Sequence, residues 1–241
     1  MGDLGKAVAG GATRVSAPDP CDAPILLEQQ VTYRTLRALS VPVYKFVWGL
    51  QIEGAHKVPA EGPVILAANH RSNFDSIMLP RITHRPVNFM AKSEFFAYRQ
   101  FSRFLTHIGA FPVERDRPDK HATQHALDVL RAGGVLALYP EGTRGSGREI
   151  GPVHRGPVWL AQRGDAQIVP VGIGGSEFTQ PKGSKTIHRM RIRIVVGDPL
   201  PPPVSRGRDA LASRNTELVK AIQELFLEAG GPGPIPFRQP G

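Results

Sequence analysis

The apolar run Val64-Ile65-Leu66-Ala67-Ala68 gives way abruptly to Asn69-His70-Arg71-Ser72-Asn73-Phe74-Asp75. The run reads as a buried strand. Behind the polar block, Ser76-Ile77-Met78-Leu79 reads as the start of a helix. His70 therefore falls where a strand ends and a helix begins, the usual place for a site in an α/β sheet. His70 and Asp75 would lie about 140° apart on a regular helix and on opposite faces of a strand. They can meet only across an irregular turn, with Ser72 or Asn73 capping the new helix. A carboxylate that reaches the imidazole fixes its tautomer and leaves the other ring nitrogen free as a general base. Taken alone, the pattern also fits a surface histidine beside a capping Asn and a first-turn Asp.

The pattern is not alone. A second strand, Val135-Leu136-Ala137-Leu138, runs into Tyr139-Pro140-Glu141-Gly142-Thr143-Arg144. Between the two stands Gly109-Ala110-Phe111-Pro112-Val113-Glu114-Arg115, and Ile168-Val169-Pro170-Val171-Gly172 follows. Repeated strand-then-helix units predict an α/β fold, a mostly parallel central sheet flanked by helices. The polar ends of several strands would gather on one rim.

In these four blocks the chain resembles the glycerolipid acyltransferases of the 1-acylglycerol-3-phosphate acyltransferase type. Asn-His-x-x-x-x-Asp, Gly-x-Phe-x-x-x-Arg, Glu-Gly-Thr-Arg and an apolar Val-Pro-Val occur in the family's order over residues 48 to 200. The resemblance implies a glycerolphosphate-acyltransferase-like fold with His70 and Asp75 as the catalytic pair. It implies an acceptor-phosphate site at Arg115, Glu141, Gly142, Thr143 and Arg144, supported by Asn69, Gly109, Phe111 and Pro170. Within that set Glu141 is suited to fixing an arginine or a glycerol hydroxyl rather than to touching phosphate. Backbone amides near the His turn or at Gly142 are the candidates for holding an oxyanion. Many family members carry Ser after Glu-Gly-Thr-Arg, where this chain has Gly145.

The implied reaction moves a fatty acyl group from acyl-CoA or acyl carrier protein to the free hydroxyl of lysophosphatidate. The same chemistry on glycerol 3-phosphate or another lysophospholipid is the alternative. No metal and no organic cofactor is called for. His121 and His125 stand four apart, but no third ligand accompanies them, and they read as surface residues.

The net charge of +9 and pI near 10.1 imply acidic partners. The Arg residues are spread and no nucleic-acid-binding motif occurs, so an anionic membrane surface and phosphate ligands are expected, and no nucleic acid. A non-catalytic basic binder is the remote alternative. The single cysteine, Cys21, excludes an internal disulfide.

Residues 1 to 24 read as a disordered tail. Residues 25 to 47 read as a basic amphipathic segment, with Tyr33, Tyr44, Phe46 and Trp48 beside Arg34, Arg37 and Lys45; it suits either a membrane interface or a helix that covers the sheet with its cations solvated, and Pro42 interrupts either version. Trp48 to Gly54 reads as a strand opening the 48–200 core. The aromatic stripe Phe95, Phe96, Tyr98, Phe101, Phe104 reads first as core and second as an acyl groove. Arg148, His154 and Arg155 are plausible contacts for a phosphorylated donor. Residues 201 to 229 are a Pro-rich connector and an amphipathic helix, and 230 to 241 a flexible tail. No apolar run is long enough to cross a bilayer and no signal core is present. A peripheral protein at the cytoplasmic face of the cell membrane is the expectation.

Overall fold

The computed structural model describes residues 35, 38, 40, 42, 44, 46–114, 118–146, 149–180, 186–205 and 207–232. The expected 1–24 tail, Tyr33, Arg34, Arg37, Lys45, Arg115, Arg148 and most of the 230–241 tail lie outside these residues.

Seven strands form one sheet in the order β1-β7-β6-β2-β5-β3-β4. They are β1 (Gln51–Glu53), β2 (Val64–Ala68), β3 (Val87–Lys92), β4 (Ala110–Val113), β5 (Val135–Leu138), β6 (Gln167–Gly174) and β7 (Arg193–Val196). β6, β2, β5, β3 and β4 run parallel. β7 pairs antiparallel with β6 and parallel with β1, so the β1/β7 edge runs against the rest. The mostly parallel sheet expected from the strand–helix alternation is the one observed. All five residues of β2 are fully buried, as an unalternating apolar run requires.

The helices are α1 (described at residues 35, 38, 40, 42, 44 and 46–48), α2 (Asp75–Met78), α3 (Arg99–His107), α4 (Lys120–Arg131), α5 (Gly156–Gly164), α6 (Ser176–Thr179) and α7 (Arg208–Glu228). Alternate residues of β2 supply two separate cores. Val64, Leu66 and Ala68 pack with Trp48, Met78, Leu79 and Leu105 on one face. Ile65 and Ala67 pack with Ala126, Leu130, Val158, Leu218 and Ile222 on the other. α2 and α3 therefore cover one face, and α4, α5 and α7 the second. β2 sends its chain toward β3 while its neighbour β5 sends its chain toward β6, in the opposite direction. Such a divergence opens a crevice at the carboxyl ends of the two strands.

Three expectations are corrected here. Pro42, expected to interrupt α1, is itself helical, as are the described residues Ser40 and Tyr44. The strand expected from Trp48 is only Gln51–Glu53, because Trp48 closes α1 and is buried against Phe74 at 5.2 Å. Tyr44 likewise turns inward, its hydroxyl donating to the Ile77 carbonyl at 3.1 Å, whereas Phe46 is exposed. The aromatic stripe is not core either. Phe95, Tyr98, Phe101 and Phe104 are exposed, and only Leu105 is fully inside, with Phe96 packed at the margin.

Pro170 stands in a central strand without penalty. It falls opposite Gly197, one residue past the end of β7, whose amide still donates to the Pro170 carbonyl at 2.9 Å. Gly109 has φ 87°, and a Cβ there would meet the Val87 carbonyl oxygen at 2.4 Å, so the entry into β4 excludes other residues. Phe111 is buried against the His125 ring, with centroids 4.5 Å apart. His125 is thus a packing residue rather than a surface one.

Candidate active site

The crevice between β2 and β5 holds two turns, one from each strand. Asn69 fixes the first. Its side-chain amide donates to the Ile173 carbonyl at 2.9 Å and accepts from the Ile173 amide at 2.7 Å, so it continues the β2/β6 ladder past the strand end. The chain then turns, and the structure brings His70 and Asp75 together. His70 Nδ1 lies 2.9 Å from Asp75 Oδ2. The same oxygen accepts the amides of Arg71 and Ser72, each at 2.7 Å. Asp75 is fully buried and His70 is 7% exposed. The Tyr139 ring stacks on the imidazole, with centroids 4.2 Å apart and planes at 21°. One carboxylate oxygen thus gathers three donors, which holds the ring in one orientation and assigns its hydrogen to Nδ1. The remaining nitrogen, Nε2, is left with acceptor capacity.

The helix cap differs from the expectation. Neither Ser72 nor Asn73 caps α2; the capping position is Phe74, with no side-chain bond. The turn's amides point to Asp75 instead.

The second turn backs the first. Glu141 Oε1 accepts the His70 amide at 3.1 Å, and Oε2 accepts the Gly151 amide at 3.2 Å. Oε2 also lies 3.6 Å from Nη1 of Arg71, an ion pair in which both side chains are nearly inaccessible. Arg71 then donates from Nη2 to the Glu149 carbonyl at 2.8 Å and stacks its guanidinium 4.9 Å over the Phe226 ring of α7. Glu141 therefore faces inward, and the arginine it fixes is Arg71. Reading the sequence did not nominate Arg71. The available signal was a charge set between two blocks that otherwise lead into buried strands.

Gly145 belongs to this arrangement. Its amide donates to the His70 carbonyl at 2.8 Å, and a Cβ on it would fall 2.1 Å from Arg71 Nη1 and 2.2 Å from Glu141 Oε2. A side chain at this position would have to displace the Arg71–Glu141 pair. Gly142 and Thr143 are exposed and Arg144 is half-buried, so this part of the turn borders solvent. The Gly142 amide closes the turn onto the Tyr139 carbonyl at 2.9 Å. The amides of His70, Arg71, Ser72 and Gly142 are all engaged internally, so the expected oxyanion donors are committed elsewhere. His154 lies against Gly142, its ring 3.0 Å from the Cβ position there and its amide donating to Pro140 at 2.8 Å. A cavity of about 400 Å³ opens beside this turn, lined by Met90, Leu138, Tyr139, His154, Trp159 and Leu160 among others. Among the described residues no group of three or more His, Cys, Asp or Glu is arranged to hold a metal ion.

A paired imidazole and carboxylate at the end of a parallel strand, braced by an acidic turn from the adjacent strand, form an arrangement able to move protons. The family model described as Acyltransferase matches residues 49–174, and the chain belongs to this acyltransferase family. It is 30% identical over 181 residues to the 1-acyl-sn-glycerol-3-phosphate acyltransferase of Bacillus subtilis, covering 73% of this chain and 88% of that protein. It is 29% identical over 176 residues to the protein of the same name from Streptococcus pneumoniae, covering 70% of this chain and 62% of that one. The fold is that of the 1-acyl-sn-glycerophosphate (LPA) acyltransferase PlsC from Thermotoga maritima, with a TM-score of 0.69 at 21% identity, over 83% of this chain and 81% of that one.

Proposed function

We propose that the protein transfers a fatty acyl group from an acyl thioester, acyl-CoA or acyl carrier protein, to the free hydroxyl of 1-acylglycerol 3-phosphate, giving phosphatidate. The observation that carries the reading is the buried 2.9 Å contact between His70 Nδ1 and Asp75 Oδ2. The names of the similar proteins from B. subtilis and S. pneumoniae support the choice of acceptor.

In this mechanism His70 Nε2 takes the proton of the acceptor hydroxyl as its oxygen attacks the thioester carbonyl. Asp75 keeps the ring oriented and stabilises the imidazolium, and base catalysis of this kind contributes about 10²- to 10⁴-fold. The tetrahedral intermediate then expels the thiolate, and the imidazolium returns the proton to sulfur. The ester C–O bond forms in the addition step and the C–S bond breaks in the collapse, and no covalent enzyme intermediate is needed. Arg144, at the solvent border of the second turn, grips the acceptor phosphate with paired donors. Arg115 is assigned the same role; it follows β4, whose carboxyl end lies on the same edge of the sheet. Acceptor and product are both bilayer lipids, which supports peripheral attachment at the cytoplasmic face of the cell membrane.

The test is a labelled acyl-CoA offered with a panel of acceptors: lysophosphatidate, glycerol 3-phosphate and neutral or zwitterionic lysolipids. Formation of phosphatidate from lysophosphatidate well above the others is expected. Equal or better transfer to glycerol 3-phosphate would overturn the acceptor.

A further inference from the structure

We infer that the turn and helix between β3 and β4, Ser93–His107, form the surface that docks this protein on anionic lipid bilayers. Four aromatic rings stand out from this segment. Phe95 is 50% exposed, Tyr98 76%, Phe101 44% and Phe104 50%. Three of them form one cluster rather than scattered side chains. Phe95 and Phe101 meet edge to face at a centroid distance of 6.3 Å, and Phe101 and Phe104 stack at 6.3 Å. Exposed apolar surface gathered in this way marks a docking face.

Its charge selects the partner. α3 reads Arg-Gln-Phe-Ser-Arg-Phe-Leu-Thr-His and contains no acidic residue. Arg99 and Arg103 are exposed and, four apart, share one side of the helix, while Phe101 and Phe104, three apart, share a side roughly opposite to it. The nearest acid in sequence, Glu94, is paired with Lys92 at 4.0 Å. A helix with aromatic residues on one side and arginines on the other has the amphipathic pattern of a bilayer interface, where rings settle at headgroup level and long arginine side chains reach back to the phosphates. An acidic protein could meet the arginines, but it would gain little from four rings on a flank with no groove.

The position fits the proposed chemistry. β3 runs parallel to β2 and β5, so Ser93 leaves the sheet at the edge that carries His70 and Glu141. A bilayer held against Phe95 and Tyr98 therefore lies on the side where a lipid acceptor would enter. Tyr44 and Trp48, from the N-terminal segment, are turned into the fold.

The experiment is co-sedimentation of the full chain with vesicles of phosphatidylcholine alone and of phosphatidylcholine mixed with phosphatidylglycerol. The wild type is compared with Phe101→Ser/Phe104→Ser and with Arg99→Gln/Arg103→Gln, with thermal unfolding as the check on folding. The Phe pair should lose at least about tenfold in binding to mixed vesicles. The Arg pair should lose about 25-fold on phosphatidylglycerol-containing vesicles, at about fivefold per cation, and nothing on phosphatidylcholine. A Phe104→Trp variant keeps an aromatic ring at that site. Its added fluorescence should shift to shorter wavelength on mixed vesicles and be quenched by bromolipid. Wild-type binding that survives both double substitutions would overturn this surface and leave membrane attachment standing. A wild type that ignores anionic vesicles would remove both.

Discussion

Glu141 accepts the backbone amide of His70 at 3.1 Å while its other oxygen faces Arg71 at 3.6 Å. One acidic side chain from the β5 turn thus braces both the proposed base and the residue after it. Removing it should be worse than neutralising it. Glu141→Ala leaves a buried guanidinium without its carboxylate and should lower unfolding free energy by about 3–5 kcal/mol. Glu141→Gln keeps an acceptor for the His70 amide. It should fold, lose kcat, and leave the KM for lysophosphatidate nearly unchanged. A Glu141→Gln enzyme that instead loses acceptor affinity at constant kcat would return this residue to the phosphate site.

The proposed catalytic pair gives the sharpest expectation. His70→Ala should nearly abolish transfer while circular dichroism and thermal unfolding stay close to wild type. Asp75→Asn keeps the size but can offer the imidazole the wrong hydrogen, and should cost up to about 10⁴-fold in kcat. Steady-state turnover of the purified, folded variants decides it, and near-normal turnover by His70→Ala would remove the mechanism.

Arg144→Ala should raise the KM for lysophosphatidate far more than that for the thioester. An arginine–phosphate contact of about 1.5–3 kcal/mol corresponds to roughly 10- to 150-fold. Arg115→Ala should act in the same direction. Equal effects on both substrates would argue for a structural role.

Glu177, the second residue of α6, gives a pH-dependent stability. Burial pushes its carboxyl up to about 7, with the nearby Asp75 charge adding to the effect and backbone amides and Arg71 opposing it. The folded state then holds a proton that the unfolded chain releases above its ordinary value of 4.5. The unfolded state binds fewer protons in that window, so stability falls as pH rises from about 4.5 to about 7. Glu177→Gln removes the slope. It should match wild type near the low end and exceed it above neutrality by up to about 3 kcal/mol, at about 1.36 kcal/mol per decade. Urea unfolding across that range reads the difference, and parallel curves would overturn the burial argument.

The sheet was legible because its central strands are unbroken apolar runs ending in polar blocks. Val64–Ala68 and Val135–Leu138 announce both their burial and their ends. The meeting of His70 with Asp75 was legible only through the resemblance of the four ordered blocks, since spacing by itself did no more than confine it to an irregular turn. What failed to show is which neighbour each side chain chooses. The stripe from Phe95 to Phe104 has the periodicity of a core helix, but only Leu105 lies fully inside, and periodicity cannot say which flank is covered. Ser72 and Asn73 have the chemistry of helix caps, yet Asp75 captures the Arg71 and Ser72 amides first. Arg71 occupies a position that the family pattern leaves unspecified. Its partners come from two distant parts of the chain, Glu141 and Glu149 from the segment after β5 and Phe226 from α7.

The last of those partners sets an order of events during synthesis. Gly172 and Gly174 of β6 let the end of α7 approach so closely that a Cβ on Gly172 would lie 2.2 Å from the Leu225 carbonyl carbon. Phe226, fully buried, arrives there beneath Arg71. A ribosome-bound chain that has released β1 through β7 still lacks this floor, and the turn carrying His70 has nothing to hold Arg71 from below. The centre closes only when the final helix emerges, so a nascent or prematurely terminated chain carries its motifs without a finished site.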